Sequence, residues 1–160
     1  MKKYFGIMLS IILLALSIPV YAEENGEESY PMVFEEEGSE IDSLFEDEEP
    51  QVMPRSQYIS TVQTQAKYLG SNKVAIHVNV YCNAVVKSIT TIFYLQKYTS
   101  SGWVNVSSGT ISVSNSNTLS KTGTVSGVPS GTYRAKSSTK VTDSYGHSET
   151  LVGYSGAFSF

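Results

Sequence analysis

From Lys73 to Tyr98 the chain alternates in character twice. Val74, Ile76, Val78, Val80 and Cys82 alternate with Lys73, Ala75, His77, Asn79 and Tyr81. A period of two marks an extended strand with one buried face. After a break at Asn83, Ile89, Thr91, Phe93 and Leu95 alternate with Thr90, Ile92, Tyr94, Gln96 and Tyr98. Both of these sets carry apolar side chains, which predicts a strand with a central place in a sheet. A weaker alternation through Ile59, Thr61 and Gln63 predicts a strand from Tyr58 to Tyr68. Further strands are expected over Trp103–Val113, Thr118–Val125, Thr132–Val141 and Ser148–Phe160. Turn residues separate them: Gly70-Ser71-Asn72, Thr99–Gly102, Ser114–Asn117, Ser126–Gly131 and Asp143–Gly146.

Seven short strands in about 105 residues predict an all-β fold, an immunoglobulin- or fibronectin-like β-sandwich over residues 56–160. A barrel is the structural rival. Tyr133 follows a Gly-rich corner at the start of the sixth strand, the place where such sandwiches close a turn with a tyrosine hydroxyl. The cysteine pair of antibody domains is absent. Cys82 is the single cysteine, expected on the apolar face of its strand as a free thiol; an intermolecular disulfide is the alternative.

The start of the chain reads as an address. Lys2 and Lys3 precede an apolar run from Ile7 to Val20, and Val20-Tyr21-Ala22 offers small residues for a signal peptidase. A signal peptide over residues 1–22, cleaved after Ala22, predicts a secreted, extracellular protein with no stable membrane span after processing. The apolar run is the only stretch that suggests a membrane at all.

Charge divides the rest. Residues 23–50 hold thirteen carboxylates and no Lys or Arg, whereas residues 51–160 hold nine basic and two acidic side chains. The two parts therefore carry −13 and +7. Such an acidic block predicts a disordered linker or pro-segment over residues 23–55, bounded by Pro50, Pro54 and Arg55. Two apolar clusters interrupt it: Tyr30, Met32, Val33 and Phe34, then Ile41, Leu44 and Phe45. Opposite charges on one chain allow an intramolecular contact between this segment and the domain. The alternative is a solvated spacer.

Signals for catalysis are poor. The chain has no Gly-x-Ser-x-Gly elbow, phosphate loop, cysteine pair or dinucleotide fingerprint. His77 falls on the outward parity of its strand and is expected at the surface. Asp143, His147 and Glu149 cluster at the last hairpin and are the one set that suggests a metal or acid–base pair; ordinary turn chemistry explains them without any metal. No catalytic residue, metal or cofactor is expected. The surface is more telling. Arg134, Lys136 and Lys140 share the outward parity of the sixth strand, which in a sandwich pairs with the third. Tyr94 and Tyr98 share the outward parity of that third strand. These five residues are expected on one open face that binds a cell-wall polymer, another polyanion or a surface protein. Secretion and the acidic segment argue against nucleic acid.

The runs TIFYLQKYTSSGWVNV and GTYRAKSSTKVTD and the Gly/Ser/Tyr-rich ending resemble a family of small secreted β-sandwich proteins of Gram-positive bacteria, a family with no assigned function. The matching elements are Val74–Cys82, Leu95–Tyr98, Gly102-Trp103 and Tyr133-Arg134, and the resemblance covers about residues 56–160. It implies a fold and a compartment and carries over no catalytic residues. Two functions are expected from all this: a non-enzymatic binding module at or near the cell envelope, or a bacteriocin-like antimicrobial protein with an acidic pro-segment.

Overall fold

A computed structural model of the chain describes residues 29–45 and 56–160. The expected signal peptide and the boundary at Pro50, Pro54 and Arg55 lie outside the described residues. Among the described residues seven strands follow one another: β1 (Met32–Phe34), β2 (Ile59–Gly70), β3 (Lys73–Thr99), β4 (Gly102–Ser126), β5 (Thr132–Thr142), β6 (Ser148–Tyr154) and β7 (Phe158–Ser159). Among the described residues between β1 and β2 lies a 3₁₀ turn, Asp42–Phe45. All pairings are antiparallel.

The fold is a sandwich made by bending one long hairpin. β3 and β4 pair from Lys73↔Ser126 to Thr99↔Gly102, with the ladder interrupted between Tyr81 and Val86. On its other edge β3 changes partner at this interruption. Ile59–Gly70 pairs with Lys73–Cys82, whereas β5 pairs with Ser88–Lys97. One layer is thus β2, the first half of β3, the second half of β4 and β1. The other is the first half of β4, the second half of β3, β5, and then β6 and β7, which share the far edge of β5. Asn83, read as a break between strands, sits at the bend, where its backbone N–H donates to Tyr58 O at 2.9 Å.

The alternating set of the sequence fills the space between the layers. Val74, Ile76, Val78, Val80, Ile89, Phe93 and Leu95 are wholly buried, and so are Tyr133, Ala135 and Val141 of β5. Thr64 of one layer and Ser137 of the other hydrogen-bond at 2.6 Å in this interior. Burial without a disulfide leaves apolar area as the main source of stability. Cys82 is a buried free thiol whose pKa is raised by burial and by Glu149. Tyr133 closes its corner as expected, with its hydroxyl donating to Pro129 O at 2.7 Å. Ser71 and Asn72 join β2 to β3 with φ of 50° and 58°, the left-handed pair that a two-residue hairpin needs.

Residues 29–45 depart from the expected disorder. β1 adds to the edge of β4, with Met32↔Val125, Val33↔Thr124 and Phe34↔Gly123 in register. Tyr30 N–H donates to Val106 O at 2.8 Å and Ser107 Oγ donates to Tyr30 O at 2.6 Å, so this segment spans both halves of the bent strand β4. Met32 and Phe34 point inward; Phe34 meets Phe93 edge-on at 5.1 Å. They fit because β4 offers glycines there. A methyl group on Gly109 would come within 2.9 Å of both side chains, and one on Gly123 within 2.9 Å of Met32 Sδ. The acidic composition hid a period-two triplet, Tyr30, Met32 and Phe34, whose burial outweighs the cost of ordering so few residues.

His77 is the second departure. Its outward parity is right, but its exposure is 6%. The 3₁₀ turn crosses the outer face of the first layer, and Phe45 stacks on the imidazole with ring centres 5.1 Å apart. Thr122 Oγ1 donates to Asp42 and lies 2.7 Å from His77 Nδ1; Asn79 Oδ1 lies 3.1 Å from His77 Nε2. Lys67 Nζ donates to Leu44 O and stands over the Phe45 ring. The contact between the acidic segment and the domain is therefore a strand, an aromatic stack and hydrogen bonds.

Candidate functional site

The outer face of the second layer gathers the residues singled out from the sequence. Registers across β4, β3, β5 and β6 set the rows. Ser108, Tyr94, Lys136 and Tyr154 form one row. Asn105, Gln96 and Arg134 form the next, and Tyr98 faces Trp103 beyond it. Lys140 pairs with Thr90 and Thr150, two rows beyond the first in the other direction. All five expected residues, Tyr94, Tyr98, Arg134, Lys136 and Lys140, project from this face. Tyr94, Tyr98, Arg134 and Lys136 are tightly grouped; Lys140 stands at the margin.

Arg134 is the centre of the group. Its guanidinium carbon lies 4.4 Å from the Trp103 ring centre and 4.5 Å from that of Tyr154. Arg134 Nε donates to Gln96 Oε1 at 2.8 Å, and Gln96 Nε2 donates to Asn105 Oδ1 at 2.8 Å. Two rings and an amide chain hold the cation in one orientation, with each cation–π contact worth about 0.5–1 kcal/mol at an exposed site. Lys136 Nζ stands 5.2 Å from the Tyr94 ring centre. Among the described residues no carboxylate lies within ion-pairing distance of Arg134, Lys136 or Lys140. Cations held over the half-buried rings of Tyr94 and Trp103 and the exposed ring of Tyr154 attract an anion and give it a flat apolar rest.

Four contributors escaped the sequence reading: Trp103, Tyr154, Gln96 and Asn105. The first two were reachable by counting. A hairpin closed by Thr99–Gly102 puts Trp103 opposite Tyr98, and pairing Thr142 with Ser148 puts Tyr154 opposite Lys136. Asn105 was not reachable. The ladder steps from Leu95↔Ser107 to Gln96↔Asn105, so Val106 is an extra residue in a bulge. Beside the bulge a concavity of about 230 Å³ is lined by Ser29, Tyr94, Asn105, Val106, Ser107 and Ser108.

Asp143, His147 and Glu149 lie at the opposite end of β5 and form a clasp. Asp143 accepts hydrogen bonds from Tyr145 N, His147 N, His147 Nδ1 and the Tyr58 hydroxyl at 2.8–3.1 Å. Glu149 accepts Tyr58 N at 2.9 Å and Ile59 N at 3.4 Å. Desolvation pushes both carboxyls up, but these bonds outweigh it and hold both below their ordinary range. The Tyr58 hydroxyl is raised, first by desolvation and then by Asp143. The arrangement ties the start of β2 to the last hairpin. Among the described residues no group of three or more His, Cys, Asp or Glu is placed to hold a metal ion.

No family model and no curated protein matches the chain. Among solved structures, it is similar to the collagen-binding subdomain of the Enterococcus faecalis surface protein ACE, with 11% identity and a TM-score of 0.35 over 59% of this chain and 93% of that one. A likeness this distant carries no inference about ligand or partner.

Proposed function

We propose that the protein is a secreted, non-enzymatic binding module that works at or near the cell envelope and takes an anionic glycan or wall polymer on the outer face of its second layer. The observation that carries this reading is Arg134, held between Trp103 and Tyr154 beside Lys136 on Tyr94, with no described carboxylate to neutralise them. A repeating polyanion matches a row of cations several ångströms apart, and sugar rings or backbone apolar faces match the exposed Tyr98 and Tyr154. The apolar N-terminal run with its small-residue cleavage pattern supports export. The antimicrobial reading requires residues 23–55 to be shed. The inward placement of Met32 and Phe34 speaks against it, because shedding would strip two side chains from the interior.

The test is retention on heparin and on purified wall polymer by the chain from Glu23 and by a variant carrying Arg134→Gln, Lys136→Gln and Lys140→Gln. Exposed charge contacts are worth about 0.2–1 kcal/mol each, so the variant is expected to bind about tenfold more weakly. Binding should weaken with salt as the charges are screened. Equal retention of the two proteins rejects the assignment.

A further inference from the structure

The hollow beside the cations has a chemistry of its own. Tyr94 belongs to both: Lys136 of β5 stands over its ring, and the same residue lines the concavity with Asn105, Ser107 and Ser108 of β4. The lining carries hydroxyls, an amide and a ring, and no charge. Its amide has a fixed orientation. Arg134 Nε can only donate, so Gln96 presents its oxygen to Arg134 and its NH₂ group to Asn105. Asn105 therefore meets Gln96 with its oxygen and keeps its own NH₂ group free. Ser107 Oγ is committed to Tyr30 O. The Asn105 NH₂ group and the hydroxyls of Tyr94 and Ser108 have no hydrogen-bond partner among the described residues.

We propose that this hollow is a neutral-sugar subsite, and that the ligand of the face is a glycan in which an uncharged, hydroxyl-rich ring adjoins an acidic one. The inference rests on the polyanion reading and narrows it to one ligand class. A volume of about 230 Å³ falls below the ~300–1,000 Å³ that drug-sized ligands fill, so the hollow takes a single monosaccharide. The Asn105 NH₂ group and the two free hydroxyls match its ring hydroxyls or an acylamino carbonyl, and the Tyr94 ring matches its C–H face. Ser108 and Lys136 flank Tyr94 on the neighbouring strands, which sets them about 10 Å apart. The adjoining sugar of the same chain then lies over Lys136, where its carboxylate finds a cation. A polypeptide or polyphosphate of equal charge satisfies the cations and leaves the hollow to water. The cations thus supply attraction, and the hollow supplies choice.

The test compares two probes with the same number of carboxylates on the chain from Glu23. One is a hyaluronan oligosaccharide, in which an acidic ring alternates with an uncharged acylamino ring; the other is a poly-glutamate peptide. Two net hydrogen bonds in the subsite give hyaluronan an advantage of about tenfold at equal salt. Ser108→Phe places a ring in the hollow from an exposed position and should bring the ratio of the two affinities close to one. Equal affinities in the unaltered chain, or a ratio that survives Ser108→Phe, overturn the subsite and leave the polyanion reading standing. Binding of neither probe sinks both. A second readout needs no variant: the side-chain NH₂ resonances of Asn105 should shift on titration with hyaluronan and stay in place with poly-glutamate. Resonances that stay in place while hyaluronan binds, or that move equally with both probes, overturn the proposal.

Discussion

Replacing Phe34 with Ala asks whether residues 29–45 belong to the sandwich. Phe34 is half-buried against Phe93, which is wholly buried. A fully buried Phe→Ala change costs about 3–5 kcal/mol. Half of that burial leaves about 1.5–2.5 kcal/mol, and losing the edge-to-face pair adds ~0.5–1 kcal/mol. The expected loss is therefore about 2–3.5 kcal/mol. For a domain of this size that lowers Tm by roughly 8–15 °C. Urea and thermal unfolding measure it. Val33→Ala is the control, since Val33 is 64% exposed on the opposite parity, and about 0.5 kcal/mol or less is expected there. Gly123→Ala probes the same slot from the other side. Its new methyl would stand 2.9 Å from Met32 Sδ, so a cost of about 1–3 kcal/mol is expected from overpacking. In a Met32→Ala background most of that cost should vanish, which a double-mutant cycle reads as coupling. A Phe34→Ala loss no larger than that of Val33→Ala, with no coupling between positions 32 and 123, refutes the claim that this segment completes the core.

Two further outcomes follow from buried polar groups. Tyr133→Phe takes from the half-buried Pro129 O the donor supplied by a wholly buried tyrosine and should cost about 0.5–1.5 kcal/mol in urea unfolding with little change in the near-ultraviolet spectrum of Trp103. His77 has its pKa lowered, chiefly by desolvation and against the pull of Asp42 and Asn79. The unfolded chain then binds the proton more readily, so stability should be full above about pH 6.5 and decline as the pH falls below it. His77→Gln should flatten that part of the curve, leaving the deeper decline below about pH 4 that the lowered Asp143 and Glu149 predict. A pH 5–7 slope that survives His77→Gln assigns the loss elsewhere.

The inward half of the sandwich was written in the chain as period-two alternation, and so was the outward face. Parity alone put Arg134, Lys136 and Lys140 on one side of their strand, and the pairing rule for a sandwich put Tyr94 and Tyr98 beside them. Two things were illegible for a common reason: they depend on a partner distant in sequence. His77 looked exposed because its cover, Phe45, comes from another segment thirty residues earlier. Residues 30–34 looked like part of a charge block because the glycines that admit them, Gly109 and Gly123, signal nothing until β4 bends beside β1. Strand ends were blurred where extended backbone continues through the bend and only the ladder is interrupted.

The bulge at Val106 joins the packing of the arm to the geometry of the face. Val106 turns inward, 7% exposed, while its carbonyl accepts Tyr30 N–H. Its insertion is what sets Asn105 opposite Gln96. Gln96 in turn holds Arg134 at Nε, the atom between the two aromatic contacts and the backbone. Undocking Tyr30–Phe34 would free one side of that bulge, and Asn105, Gln96 and Arg134 would loosen in sequence. Weakening the docking of Met32 and Phe34 would therefore remove a structural support of the cationic face. A loss of heparin affinity in Phe34→Ala, beside no change in Val33→Ala, is the pattern that this chain of contacts requires.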